Sequence, residues 1–121
     1  FGLVSVQIDV EGELPSDARV AAAFLQIIRE ASTNATKHAQ AHQVHVRLRQ
    51  ETSENGAVAR MAVSNDGAPA PVSYREGTGI PGMRHVAQNL GGSLEVHTAP
   101  PFTLTVSIPL ASNATVQRRS S

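Results

Sequence analysis

The 121-residue sequence contains no cysteine and no tryptophan. Without cysteine there is no disulfide framework, no thiolate zinc site and no cysteine nucleophile. Aromatics make up only 3%, so the core must come from Ala, Val, Leu and Ile within a hydrophobic fraction of 40%. Neither sign of charge is in excess, because 10 Lys and Arg balance 10 Asp and Glu. Nucleic-acid binding demands a concentrated basic surface, and neutrality argues against it. No apolar run approaches the ~18–20 residues of a membrane helix, and no signal peptide opens the chain. The expectation is a cytoplasmic location without direct membrane contact. The length fits one domain, and a start at Phe1 rather than Met is consistent with a piece of a longer protein.

What is present is strongly patterned. Residues 3–10 alternate, with Val4, Val6, Ile8 and Val10 on one face, which predicts a half-buried strand. Gly12 and Pro15 break it, and Ser16 or Asp17 can cap a helix running to about His38. At ~100° per residue, Val20, Phe24, Ile27, Ile28, Ala31 and Ala35 share one arc of that helix. A second alternation places Val44, Val46 and Leu48 inward and His45, Arg47 and Arg49 outward. Asn55-Gly56 is a hairpin signal, and Ala57–Val63 reads as the returning strand. Residues 64–79 carry no periodicity and read as one long loop. A second helix begins near Pro81 and stops at Gly91-Gly92, before a final hairpin over residues 93–98 and 102–109. The order β-α-β-β-α-β-β predicts an α+β two-layer sandwich, a mixed β-sheet with helices packed on one face. Residues 1–110 form the expected domain, and 111–121 read as a polar, disordered tail.

Three polar clusters fall in this frame. Glu30, Asn34, Lys37 and His38 share one side of the first helix, bordering its apolar arc. Such a border is more often just solvated; the functional reading is that Asn34 offers an oxygen ligand to Mg²⁺ with charged neighbours for phosphates. Asn65-Asp66-Gly67 follows a strand, where these residue types commonly make a turn. They also let a planar base approach the backbone and be read by hydrogen bonds. In Gly77-Thr78-Gly79-Ile80-Pro81-Gly82-Met83 the glycines open backbone N–H groups to an anion at a helix start. The strand–turn–helix context of a dinucleotide fold is missing, and so is the Gly-Lys-Ser/Thr of a P-loop. His42, His45, His85 and His97 form no helical metal pair with a carboxylate and read as surface histidines, and His38 and His42 straddle a helix end. The sequons at Asn34 and Asn113 read as chance.

Residues 30–39, Glu-Ala-Ser-Thr-Asn-Ala-Thr-Lys-His-Ala, resemble the N-box of sensor histidine-kinase ATP-binding domains, in the version found in kinases paired with NarL-type regulators. Asn65-Asp66-Gly67 resembles the first glycine box of those domains. Gly77–Arg84 with Leu90-Gly91-Gly92 resembles the second. The resemblance spans about residues 1–110 and implies the GHKL-type ATPase fold, with ATP between the helices under a flexible lid. It implies that Asn34 ligates Mg²⁺, with Glu30 nearby polarising water or the phosphoacceptor. Lys37 and His38 would then lie at the phosphate end. Asn65 and Gly67, with Asp66 between them, would meet adenine, while Gly77, Gly79 and Gly82 close the lid. Thr78, Met83 and Thr103 complete the implied cofactor-binding set. The implied chemistry is transfer of the γ-phosphoryl to a histidine on a separate dimerisation domain, with a response regulator downstream.

The sequence departs from that family at several points. Asn65 stands where the family usually carries Asp, Pro69 where a second glycine is expected, and Pro101-Phe102 where the final strand usually opens on Gly-Thr. An amide oxygen accepts a hydrogen bond without the charge assistance of a carboxylate, so weaker ATP binding is expected. Two other readings remain: a degenerate, non-catalytic interaction module, and a serine kinase of the anti-sigma-factor type.

Overall fold

The alternations and the helical arcs resolve into seven elements: β1 (Ser5–Glu11), α1 (Ala18–His38), β2 (Gln43–Ser53), β3 (Gly56–Asn65), α2 (Ile80–Asn89), β4 (Ser93–His97) and β5 (Thr103–Pro109). The computed structural model describes residues 5–12, 17–38, 41–54, 56–67, 79–99 and 101–110, without the side chains of Lys37, His38 and Ser53. Gly77, Thr78 and the expected tail over residues 111–121 lie outside the described residues, as do Ser16, Pro69 and most of the loop between β3 and α2.

The strands form one five-stranded sheet in the order β1-β2-β3-β5-β4. β1 runs parallel to β2 and every other pair is antiparallel. The hairpin expected here forms between β2 and β3, but its register pairs Ser53 with Gly56, so Gly56 opens β3 instead of standing at the centre of the turn as the Asn-Gly signal implies. Alternation then sorts the sheet into two faces. Val44 and Val46 of β2, Ala59, Met61 and Val63 of β3, Leu94 of β4, and Leu104, Val106 and Ile108 of β5 are all buried. Their cross-strand registers place them on one face. The arc of α1 covers that face over β2 and β3, and α2 covers it over β4 and β5. Val20, Phe24, Ile27, Ile28, Ala31 and Ala35 are buried as the helical spacing requires.

β1 corrects one expectation. The alternation predicts a half-buried strand, but all seven of its residues are exposed. Val6, Ile8 and Val10 do share the face of their β2 partners Val44, Val46 and Leu48. The helix layer stops short of them, because α1 lies over β2 and β3. Periodicity identifies the side a residue faces; whether another element reaches that side is decided elsewhere in the chain.

Ile27 has no exposed surface at the contact of α1 with the sheet. Ile27→Ala should lower stability by about 2–5 kcal/mol through lost transfer energy and a residual cavity. Urea unfolding checks this as a fall in midpoint at an unchanged slope.

Candidate functional site

Helix α1 starts where its cap allows. Asp17 Oδ1 accepts the Arg19 amide at 2.9 Å, and the Asp17 carbonyl accepts the Ala21 amide at 3.0 Å. From there the apolar arc turns toward α2, and its flank on that side carries Ala23, Glu30 and Asn34. Asn34 is the one buried polar residue among those described, at 5% exposure. Its Nδ2 is enclosed and has no hydrogen-bond partner. An enclosed amide left unpaired costs about 1–3 kcal/mol, so the position is unfavourable unless something else uses it.

Gly79 meets this flank from the other side. It is the N-cap of α2 with φ +101°, in the left-handed region that favours glycine. A Cβ at Gly79 would run into the Glu30 carboxylate and lie 3.2 Å from Asn34 Nδ2. The left-handed φ is what selects glycine here, since the atoms that a Cβ would meet are the ends of the Glu30 and Asn34 side chains. The first-turn N–H groups of α2, unpaired within the helix and at its positive end, are brought beside a carboxylate and an enclosed amide. At its other end α2 stops in a Schellman arrangement. Gly91, at φ +80°, donates to the Gln88 carbonyl, and Gly92 donates to that of Ala87, both at 2.9 Å. The Leu90-Gly91-Gly92 signature is therefore a helix stop that fixes the length of α2.

The turn after β3 is built from its own side chains. Asn65 Oδ1 accepts the Gly67 amide at 2.8 Å, an Asx turn. Asp66 Oδ1 accepts the amides of His42 at 2.8 Å and Gln43 at 2.9 Å. These bonds, the Gln43 amide foremost, hold the Asp66 carboxyl below the usual aspartate range. They staple the turn to the start of β2, just beyond the C-terminal end of α1, where the Ala41 amide donates to the Ala35 carbonyl. Asn65, Gly67 and the second half of α1 consequently lie at one end of the domain.

Residues 20–112 match the model of the family described as histidine kinase-, DNA gyrase B- and HSP90-like ATPases. The chain belongs to that family. Its fold is similar to that of the blue-light activated histidine kinase EL346 of Erythrobacter litoralis, at a TM-score of 0.68 and 23% identity over 95% of this chain and 38% of that one. It is similar also to the histidine kinase domain of that protein, at 0.64 and 23% over 96% and 56%. The ATP binding domain of PrrB from Mycobacterium tuberculosis gives 0.57 and 20% over 88% of this chain and 79% of that one. The chain thus spans 38% and 56% of the EL346 structures it resembles. No curated protein sequence matches it significantly.

In this ATPase fold the sequence-predicted residues divide into groups. Glu30, Asn34 and Gly79 are brought together. Asn65, Asp66 and Gly67 form the stapled turn at the same end as the close of α1. Gly82 is exposed, with open space where a Cβ would stand. Met83 is buried in the core, and the Thr103 hydroxyl donates to the Pro101 carbonyl at 2.8 Å. Lys37 and His38 occupy the last turn of α1, and Gly77 and Thr78 lie outside the described residues. Sequence reasoning missed the Asp66 clamp, which joins residues 24 and 23 positions apart. It also missed the enclosed Ser32 Oγ, which has no hydrogen-bond partner. No local signal marks either.

Gly79→Ala should cost at least about 1–2 kcal/mol from the left-handed backbone alone, before any clash with Glu30. Thermal melting measures that loss. For Asp66, the depressed folded pKa means its stabilisation is present above the ordinary value of about 3.9 and is lost as pH falls through the folded one. Asp66→Ala should therefore be less stable than wild type at neutral pH, with the two stability curves converging in acid.

Proposed function

We propose that the chain is the catalytic ATP-binding domain of a sensor histidine kinase of the NarL-type subgroup. It would hold Mg-ATP and give the γ-phosphoryl to a histidine on a separate dimerisation domain, with a response regulator served downstream from the cytoplasm. The observation that carries this reading is the enclosed, unpartnered Asn34 amide, beside Glu30 and the glycine-opened N-terminus of α2. An amide exchanges its N and O by a half-turn, so Asn34 can offer a hard oxygen to the same space. That oxygen fits Mg²⁺, which commonly takes one or two protein oxygens and completes its shell from phosphates and water, and it leaves the Glu30 carboxylate beside it for the phosphoacceptor. When bound, that ion would neutralise charge on the phosphates.

This chain's own residues would do the rest. The first-turn amides of α2, with the backbone of Gly77, Gly79 and Gly82, would receive phosphate oxygens, since a helix start favours anions. Lys37 and His38, on the last turn of α1, would add charge at the same end. Glu30 would orient the attacking imidazole and accept its proton. The histidine nitrogen would bond to the γ-phosphorus as the bond to the bridging oxygen breaks and ADP leaves. Transfer of this kind depends mainly on positioning and charge stabilisation. Asn65 and Gly67 would meet the base. Asn65 Oδ1 is already engaged by the Gly67 amide, which favours a second reading in which the fold serves as an interaction module without nucleotide.

Calorimetric titration with ATP, with and without Mg²⁺, separates the two. The kinase reading expects binding in the micromolar-to-millimolar range. Asn34→Ala should abolish its Mg-dependent part, whereas Asn65→Asp, which restores a charged second acceptor, should tighten binding about 5- to 10-fold. Unchanged affinity in Asn34→Ala removes the central claim, and no binding by any of the three proteins supports the interaction module.

A further inference from the structure

Strand β1 is one edge of the sheet, and its pairing fixes which way its polar groups turn. The Ser5 amide donates to the His42 carbonyl at 3.0 Å, and Ser5 pairs with Gln43 in parallel register. Alternation then turns the N–H and C=O of Ser5, Gln7, Asp9 and Glu11 toward β2, and those of Val6, Ile8 and Val10 toward the open edge. The same three side chains are 40%, 49% and 43% exposed, and with Leu25 they are the exposed large hydrophobics of the described residues. Groups able to bond a new strand and side chains that would gain shelter therefore belong to the same residues. Residues 5–11 contain neither Pro nor Lys, two common protections of an edge.

We propose that this edge pairs antiparallel with β1 of a second copy of the chain, with Ile8 facing the partner's Ile8. In that register all seven residues are matched. Val6 faces the partner's Val10, and each Val6, Ile8 and Val10 exchanges backbone hydrogen bonds with its opposite number. On the other face Gln7 lies across from the partner's Asp9, and Ser5 from the partner's Glu11. The carboxylates are thus met by an amide and a hydroxyl, and none by another carboxylate. Asp9 is an anion at neutral pH, as an ordinary aspartate is, and the His45 ring, 2.6 Å from its Oδ2, favours that charge further. Centring the pair on Asp9 would set Asp9 against the partner's Asp9, and centring it on Gln7 would match only residues 5–9. Charge and register select the same arrangement.

A two-fold contact of this kind is self-complementary and closes on itself. Strands of seven residues span only ~23 Å, so the contact falls below the ~1,200 Å² of a standard interface and is weak. A dissociation constant of roughly 0.1–1 mM is expected, populated where a longer protein holds two copies at millimolar effective concentration. The contact does not depend on nucleotide, since Asn34 and Glu30 lie on the flank of α1 that meets α2.

Sedimentation equilibrium of the 121-residue chain, from ~20 µM to ~1 mM at low salt, tests the proposal. Wild type should show a concentration-dependent dimer. Ile8→Pro, which removes an amide facing the open edge and spares the bonds to β2, should be monomeric. Gln7→Glu should weaken the dimer about 5- to 10-fold and Gln7→Lys should tighten it, both effects shrinking in high salt. The paired charge changes keep the test decisive should the proline variant fail to fold. A monomer at every concentration overturns the proposal, and so does a dimer indifferent to both Gln7 substitutions.

Discussion

The apolar arc of α1 sets the terms for the rest of the molecule. It must be wide enough to bury Ile27 and Phe24 against the sheet, and it ends where Glu30 and Asn34 begin. Because those two residues border the arc rather than face water, they are held at the contact with α2 whenever the core forms. The packing that stabilises the fold therefore also encloses a polar amide. The enclosure is unfavourable in the empty protein, where the Asn34 Nδ2 has no partner. Stability and site formation cannot be separated here, because one helix supplies both.

Gly79 is the second half of that constraint. A left-handed glycine at the N-cap turns the chain into α2 while presenting only hydrogen to α1. The Schellman stop at Gly91 then fixes where α2 ends and β4 begins, so the position of its N-terminus is referred back to the sheet. Glycines 77, 79 and 82 look alike in the sequence. The structure distinguishes two of them, for Gly79 is crowded while Gly82 has open space around it.

Legibility followed the range of the interaction. The arc of α1, the inward set of β2, the presence of the β2–β3 hairpin though not its exact turn residues, and the stop of α2 depend on residues within a few positions of each other. All were readable. The exposure of β1 was not, because it depends on how far a helix reaches across a sheet whose order is β1-β2-β3-β5-β4. The resemblance implied that Glu30, Asn34 and Gly79 belong to one site, but not that Gly79 turns into α2 at a left-handed φ against the ends of the Glu30 and Asn34 side chains. Asp66 shows the opposite case. Its place inside a recognisable box suggested contact with a ligand, while its Oδ1 is engaged by the backbone amides of His42, just before β2, and of Gln43, the first residue of β2.

That engagement changes what the substitution at Asn65 means. In a turn held only by its own residues, replacing a carboxylate by an amide would loosen the loop as well as alter its hydrogen bonding. Here Asp66 anchors the turn to β2 and the Asn65 amide to the Phe102 carbonyl at 3.4 Å, so the backbone is held from both sides without a charge at position 65. The Asx bond to Gly67 uses the one oxygen that Asn65 has. A carboxylate could make the same bond and still turn a second acceptor toward a base, whereas asparagine can turn only its amide hydrogens or share its single oxygen. On the proposed function, the effect of Asn65 would therefore fall on recognition of the base. The scaffold that positions Asn34, Glu30 and the start of α2 is indifferent to it.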